Sequence, residues 1–230
     1  ALVKDALTGT LAPAQLLRDL ERILTRAEAV PLAELVKGSA RILPSLAGEL
    51  GKAMPIVECE AEGLLLTPDW AEVMRNVLPH AFRNALDHGI EAPDARTACG
   101  KPAQGRIRLR VERLGSRIAI RFADDGRGLR LSVLRERAGA TEASDEEVAR
   151  TIFLSGVSTV TTLSQTSGRG VGMNAIRAFV CQRGGGVGIA FTGEGSGGYR
   201  PFELVFDLPE DAALAGTPES KSEPAASLAM

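Results

Sequence analysis

The sequence predicts an α+β domain, a two-layer sandwich with helices packed on one face of a sheet. Three observations carry that reading. Two runs alternate strictly, at 106–113 and 117–123, and two later runs, at 187–191 and 202–208, place large apolar residues at every second position. Helical spacing of apolar residues, or a helix start signal, marks segments near 68–88, 144–153 and 172–183. Strands with one apolar and one polar face belong to antiparallel sheets, which bury one side and leave the other wet.

The elements follow in chain order. Pro13 and Pro31 stand where a first-turn proline belongs, since the N–H it lacks has no helical partner there. After Pro13, Leu16, Leu20, Ile23, Leu24 and Ala27 share one helical face. After Pro31, Leu32, Leu35 and Val36 do so, and the stripe resumes past Pro44 at Leu46 and Leu50. Residues 1–66 therefore read as short helices followed by a briefly extended stretch. Short amphipathic helices cannot bury their faces alone. They are expected to pack on the main domain, or on the same helices of a second chain as a homodimer through residues 14–51.

A helix begins at Thr67-Pro68-Asp69 and runs toward His88, with Pro79 removing one backbone bond inside it. In the first alternating run Ile107, Leu109 and Val111 oppose Arg106, Arg108 and Arg110; in the second, Ile118, Ile120 and Phe122 oppose Arg117 and Arg121. Leu114-Gly115-Ser116 joins them as a hairpin loop. The arginines, with Arg113, form either a solvated sheet face or a dock for an acidic domain. Val187, Ile189 and Phe191, then Phe202, Leu204, Phe206 and Leu208, supply the remaining strands. Residues 211–230 hold no aromatic and scattered Pro, Ser and Glu, and read as a flexible tail or linker.

Composition excludes several classes. At 230 residues, with 44% hydrophobic and 24% charged side chains, the chain is globular and not wholly disordered. A net charge of −2 argues against a general nucleic-acid binder. Cys59, Cys99 and Cys181 are odd in number and far apart, so they form neither a disulfide framework nor a zinc cluster and fit a reducing compartment. Apolar runs fall short of the roughly 18 residues that a membrane span needs. The expected location is cytoplasmic.

Four segments carry chemistry. His80, Asn84 and His88 are spaced to share a helical face beside Asp87, on a helix otherwise apolar around much of its girth. Such a line is either a solvated face or a ligand or metal site, and an Asn oxygen suits Mg²⁺. Asp124-Asp125-Gly126-Arg127-Gly128 closes a strand, as an ordinary turn or as a place where a carboxylate accepts from the exocyclic amine of a base. Ser167-Gly168-Arg169-Gly170-Val171-Gly172-Met173 opens a helix whose N–H groups can face phosphates. The polar stretch between Phe153 and Gly168 is a surface loop or a mobile cover over a ligand.

Taken in order, His80-x-x-x-Asn84-x-x-Asp87-His88-Gly89, Asp124-Asp125-Gly126-x-Gly128, Phe153-x-x-Gly156-x-Ser158-Thr159 and Gly168-Arg169-Gly170-x-Gly172-Met173 resemble the ATP-binding domain of the CheA-type chemotaxis histidine kinases. These belong to the gyrase/MutL/histidine-kinase ATPase superfamily. The resemblance covers about residues 67–210 and is densest at Arg83–Lys101 and Ser167–Met173. It implies a Bergerat-type fold with a mixed, mostly antiparallel sheet. It divides the chain into N-terminal helices (1–66), an ATP-binding domain (67–210) and a tail (211–230).

The resemblance also implies roles. Asn84 is similar to the Mg²⁺ ligand that ties the metal to ATP, with Asp87 and His88 near the phosphates. His80 stands where the gyrase branch carries its catalytic Glu and resembles a residue assisting transfer; that difference argues against a gyrase-like or MutL-like ATPase. Asp124 resembles the adenine-reading Asp, with Gly126 and Gly128 beneath the base. Phe153 opens the lid, and Gly168, Gly170 and Gly172 receive the phosphates. Arg83, Ser158, Thr159, Arg169, Val171 and Met173 complete the implied nucleotide-binding set. Both histidines lie in one motif, and neither precedes the charged residue typical of an acceptor. The phosphoacceptor histidine is therefore expected in trans, on a separate domain or protein, with a response regulator downstream. The other reading is a nucleotide-gated scaffold with little transfer.

Overall fold

The computed structural model describes residues 13–61, 63–139, 142–154 and 172–214. Helix α1 (Pro13–Glu28) leads through the short strand β1 (Val30–Pro31) to α2 (Leu32–Ala40) and α3 (Leu43–Leu50). Strands β2 (Ile56–Glu60) and β3 (Leu65–Leu66) precede the central helix α4 (Pro68–Asn84), which continues as one π-helical turn, Ala85–Gly89. Then come α5 (Pro93–Ala98) and the hairpin of β4 (Arg106–Leu114) and β5 (Arg117–Asp124). Next are β6 (Leu129–Arg130), α6 (Leu131–Arg137), α7 (Asp145–Arg150) and the 3₁₀ turn Thr151–Phe153. The described chain closes with α8 (Met173–Cys181), β7 (Gly186–Phe191), β8 (Tyr199–Arg200), β9 (Phe202–Pro209) and β10 (Ala213–Leu214).

The main sheet has the order β2-β4-β5-β9-β7. Only the β2–β4 pair is parallel; the other three are antiparallel. The expected mixed, mostly antiparallel two-layer sandwich is therefore what forms. Ile107, Leu109, Ile118, Ile120, Phe122, Leu204, Phe206 and Leu208 bury the inner face. Against them lie α4, through residues such as Met74, Val77, Leu78 and Phe82, and α8, through Ile176 and Val180. Phe82 meets Phe122 edge-on with ring centroids 5.2 Å apart, a preferred aromatic geometry.

Several elements differ from the sequence reading. Leu114 pairs with Arg117, so the hairpin loop is the two residues Gly115-Ser116, with Gly115 at φ +61°. The stretch before residue 67, read as merely extended, supplies β2, an edge strand of the main sheet. Short helices α5 and α6 were not anticipated, because six or seven residues show too little periodicity. Residues 211–214, read as the start of a tail, are ordered: Ala212 is fully buried, and β10 pairs with β3.

The dimer expected through residues 14–51 needs correction for most of that stretch. Leu32, Leu35, Val36, Leu43, Leu46 and Ala47 are buried in the chain's own core, so the apolar faces of α2 and α3 are already used. Only α1 keeps its apolar residues outward, with Leu17, Leu20, Ile23 and Leu24 exposed. The acidic-partner reading of the arginine face also fails. Arg106 and Arg108 each pair with Glu58 at 3.0 Å, Arg110 and Arg121 with Glu203, and Arg117 with Asp207. The face is a lattice of matched charges, with little field left over to draw an acidic domain. No helix among the described residues is long and apolar enough to cross a membrane.

Candidate functional site

The site forms where the end of α4, the end of β5 and the start of α8 meet. Pro79 sits inside α4 without ending it. After Asn84 the helix widens, and the Ile90 N–H reaches back five residues to the Ala85 carbonyl at 2.7 Å. The helical spacing argument therefore ends at Asn84, and the face predicted for His80, Asn84 and His88 is interrupted there. Lys52, just past α3, caps the widened turn: its Nζ donates to the carbonyls of Leu86 (2.6 Å) and Asp87 (2.8 Å). Burial is the main cause that lowers its pKa.

Asn84 is half-buried, and its Nδ2 donates to Met173 Sδ at 3.1 Å. The contact joins residues 89 apart in sequence and brings the polar line of α4 against the first residue of α8. First-turn N–H groups have no intrahelical acceptor and carry the positive end of the helix dipole. His80, also half-buried, has its pKa lowered by burial and by the nearby Arg83, both of which favour the neutral imidazole. His88 is exposed, with Nε2 3.8 Å from the Asp87 carboxylate.

Asp124 ends β5. Its Oδ1 accepts the Gly126 N–H at 3.0 Å. Burial, aided by the negative charges of Asp125 and Glu91, pushes its pKa up to about 6. Two glycines make this packing possible. A Cβ on Gly89 would lie 2.5 Å from Asp124 Oδ1, and one on Gly126 would lie 2.2 Å from the Gly89 carbonyl. Gly128 adopts φ +83°, where a side chain would also strike the Arg200 carbonyl. Phe153 is buried, with the Arg177 guanidinium 5.9 Å from its ring centroid.

Asn84, Met173, Asp124 and Gly126 are thus gathered around one end of α4. Gly172 directly precedes α8. Ser158, Thr159, Gly168, Arg169, Gly170 and Val171 lie outside the described residues. Sequence reasoning missed Lys52, and gave no role to Gly89, Glu91, Arg96 and Lys101 within the Arg83–Lys101 stretch. Gly89 had a signal, a glycine ending a polar helical line. Lys52 had none, because Gly-Lys after a helix looks like ordinary surface.

The donor set fits Mg²⁺. Asn84 offers one neutral oxygen, and Mg²⁺ keeps most of its other positions for water and phosphate oxygens. Among the described residues no group of three or more His, Cys, Asp or Glu gathers as a metal cage.

A mixed sheet backed by this helix, with a buried carboxylate at a strand end and the start of α8 joined to the helix through Asn84 and Met173, frames the site. Residues 73–210 match the model of the histidine kinase-, DNA gyrase B-, and HSP90-like ATPase family, and the chain belongs to that family. It is similar to chemotaxis protein CheA of Rhizobium meliloti, at 33% identity over 190 residues, covering 79% of this chain and 25% of that protein. Against CheA of Klebsiella aerogenes the identity is 36% over 180 residues, covering 75% and 27%. Against the gliding motility regulatory protein of Myxococcus xanthus it is 34% over 201 residues, covering 83% and 25%. The chain spans about a quarter of the length of these curated relatives. Among solved structures, the mycobacterial sensor histidine kinase MprB aligns at 14% identity and a TM-score of 0.49, covering 79% of this chain and 97% of that one. The family and the CheA relatives identify an ATP-binding module of the CheA-like kind.

Proposed function

We propose that the chain binds Mg-ATP and passes the γ-phosphoryl to a histidine on a separate domain or protein. The observation that carries this is the convergence of motifs: Asn84 touches Met173 at the start of α8, while Gly89, at the end of the same helical run, packs against Asp124. In this reading Asn84 Oδ1 would hold Mg²⁺, whose charge would offset that of the phosphates. Asp124 accepts from the exocyclic amine of adenine over Gly126 and Gly128. Gly172 and Met173 turn the positive end of α8 toward the phosphates. His80, whose surroundings favour the neutral imidazole, can take the proton that an attacking imidazole gives up. Asp87, His88 and Arg83 line the phosphate side. Phosphoryl transfer is mostly positioning and charge neutralisation, which these groups can provide.

The location would be cytoplasmic, with a response regulator downstream. Homodimerisation would run through α1, whose apolar residues face outward. The folding unit would begin near Val30 rather than at residue 67, a reading supported by the burial of α2, α3 and β2 residues in the main core. Incubation with γ-labelled ATP should label an added histidine-bearing helical domain and leave no stable phosphohistidine on the chain itself. Strong labelling of the chain alone would refute transfer in trans.

Binding should also depend on pH through Asp124. Its pKa, raised from the usual 3.8 to about 6, means that protonation removes the ionised acceptor as pH falls through about 6. If only the ionised form binds, ATP affinity should drop about tenfold between pH 7 and pH 5. The sign for folding is opposite. A carboxylate whose folded pKa lies above its unfolded value costs stability above about pH 6, and that cost is relieved as pH falls toward 3.8. Titration calorimetry and thermal melts across this range separate the two effects. Asp124→Asn should bind weakly and lose the pH step.

A further inference from the structure

Lys101 follows α5 and its side chain is 34% exposed, yet its ammonium is fully engaged. Nζ donates to Glu91 Oε1 at 3.0 Å, to the Asp125 carbonyl at 3.1 Å and to the Gly126 carbonyl at 2.8 Å. An ammonium has three donors, so none is left for water. Behind it Arg96 is completely buried. Its Nη1 donates to Glu91 Oε2 and to the Asp125 carbonyl, its Nη2 to Asp125 Oδ2 at 2.8 Å, and its Nε to the Pro102 carbonyl. From the other side Gly89 presses on Gly126, and its carbonyl accepts the Arg127 N–H at 3.0 Å. The turn after β5 is therefore clamped between two cations and a glycine backbone.

Pinning a lysine costs rotamer freedom. What the pin holds is the Gly126 amide, the donor that orients Asp124 Oδ1. We propose that Lys101 is a positioning residue for purine recognition: its ammonium holds the Asp125–Gly126 turn so that Asp124 presents its carboxylate to a 6-aminopurine nucleotide. The proposal rests on Asp124 being the adenine acceptor. Lys101 acts on Asp124 by charge as well as by geometry. Asp125 and Glu91 raise the proton affinity of Asp124 and Lys101 lowers it, while Lys52 is a further cation that interacts with it. Removing the Lys101 charge should therefore move the pH dependence of ATP binding upward.

The test is titration of the chain with Mg-ATP and Mg-GTP across about pH 5 to pH 8, comparing Lys101→Met, Lys101→Gln and Lys101→Arg with the unmodified protein. Lys101→Met should bind ATP about tenfold more weakly at pH 7.5, with its pH midpoint raised and GTP affinity unchanged. Lys101→Gln keeps donors without charge and should show the same raised midpoint; if Lys101→Met does not fold, this variant carries the test. Lys101→Arg should keep the original midpoint and regain most of the affinity. Unchanged ATP affinity and midpoint in Lys101→Met and Lys101→Gln, or equal losses for ATP and GTP, would overturn the proposal while leaving ATP binding intact. If the unmodified chain binds neither nucleotide, the functional reading itself fails and this inference falls with it.

Discussion

Asn84→Ala is expected to reduce phosphoryl transfer about a thousandfold while leaving the fold in place. The two effects separate because they have different causes. Among the described residues the side chain donates to a soft acceptor, Met173 Sδ, and such a bond contributes at most about 1 kcal/mol net. Its amide oxygen is the neutral donor suited to Mg²⁺, and metal neutralisation of transferring phosphate is worth several kcal/mol, with each 1.4 kcal/mol about tenfold in rate. The measurement pairs a transfer assay with a thermal melt. A variant with normal transfer would remove Asn84 from the metal site. A variant that lost transfer only by unfolding would leave the metal role without support.

Deleting residues 1–66 is expected to leave no cooperatively folded protein, whereas deleting residues 1–29 should change stability little. Leu32, Leu35, Val36, Leu43, Leu46, Val57 and Leu66 are all buried in the main core. At about 1.5–3 kcal/mol for each fully buried side chain, their loss removes about 10–20 kcal/mol. That matches or exceeds the roughly 5–15 kcal/mol that holds a whole domain together. The longer deletion also strips β2 from β4 and leaves a new unpaired strand edge. By contrast, Leu17, Leu20, Ile23 and Leu24 of α1 are exposed, so their removal costs no core burial. Circular dichroism melts of both deletions decide the matter. Cooperative unfolding after removal of residues 1–66 would show that the domain starts later than β2.

Much of the fold was legible along the chain. The arginine and isoleucine alternation of β4 and β5 announced two half-buried strands, and the structure places both at the centre of the sheet. Strand β2 was not legible, because Ile56-Val-Glu-Cys-Glu60 is too short to show a period and becomes a strand only by pairing with β4. The arginine face misled for a related reason. Most of its counter-charges, Glu58, Glu203 and Asp207, come from strands distant along the chain, so a run of cations looked unbalanced until the strands were aligned.

The same division holds at the site. By itself the chain specified which chemical groups are present: an Asn–Asp–His line, a strand-end carboxylate and glycine turns, each readable from local spacing and residue type. Tertiary structure alone decided what those groups do to one another. It widened the helix after Asn84, seated Gly89 under Asp124, buried the carboxylate until its proton affinity rose, and turned Lys52, Arg96 and Lys101 from apparent surface cations into clamps on main-chain carbonyls. The physical reason is range. Backbone periodicity and turn preference act over a few residues, while burial, charge pairing and hydrogen-bond capture depend on which distant segments the core brings within a few ångströms.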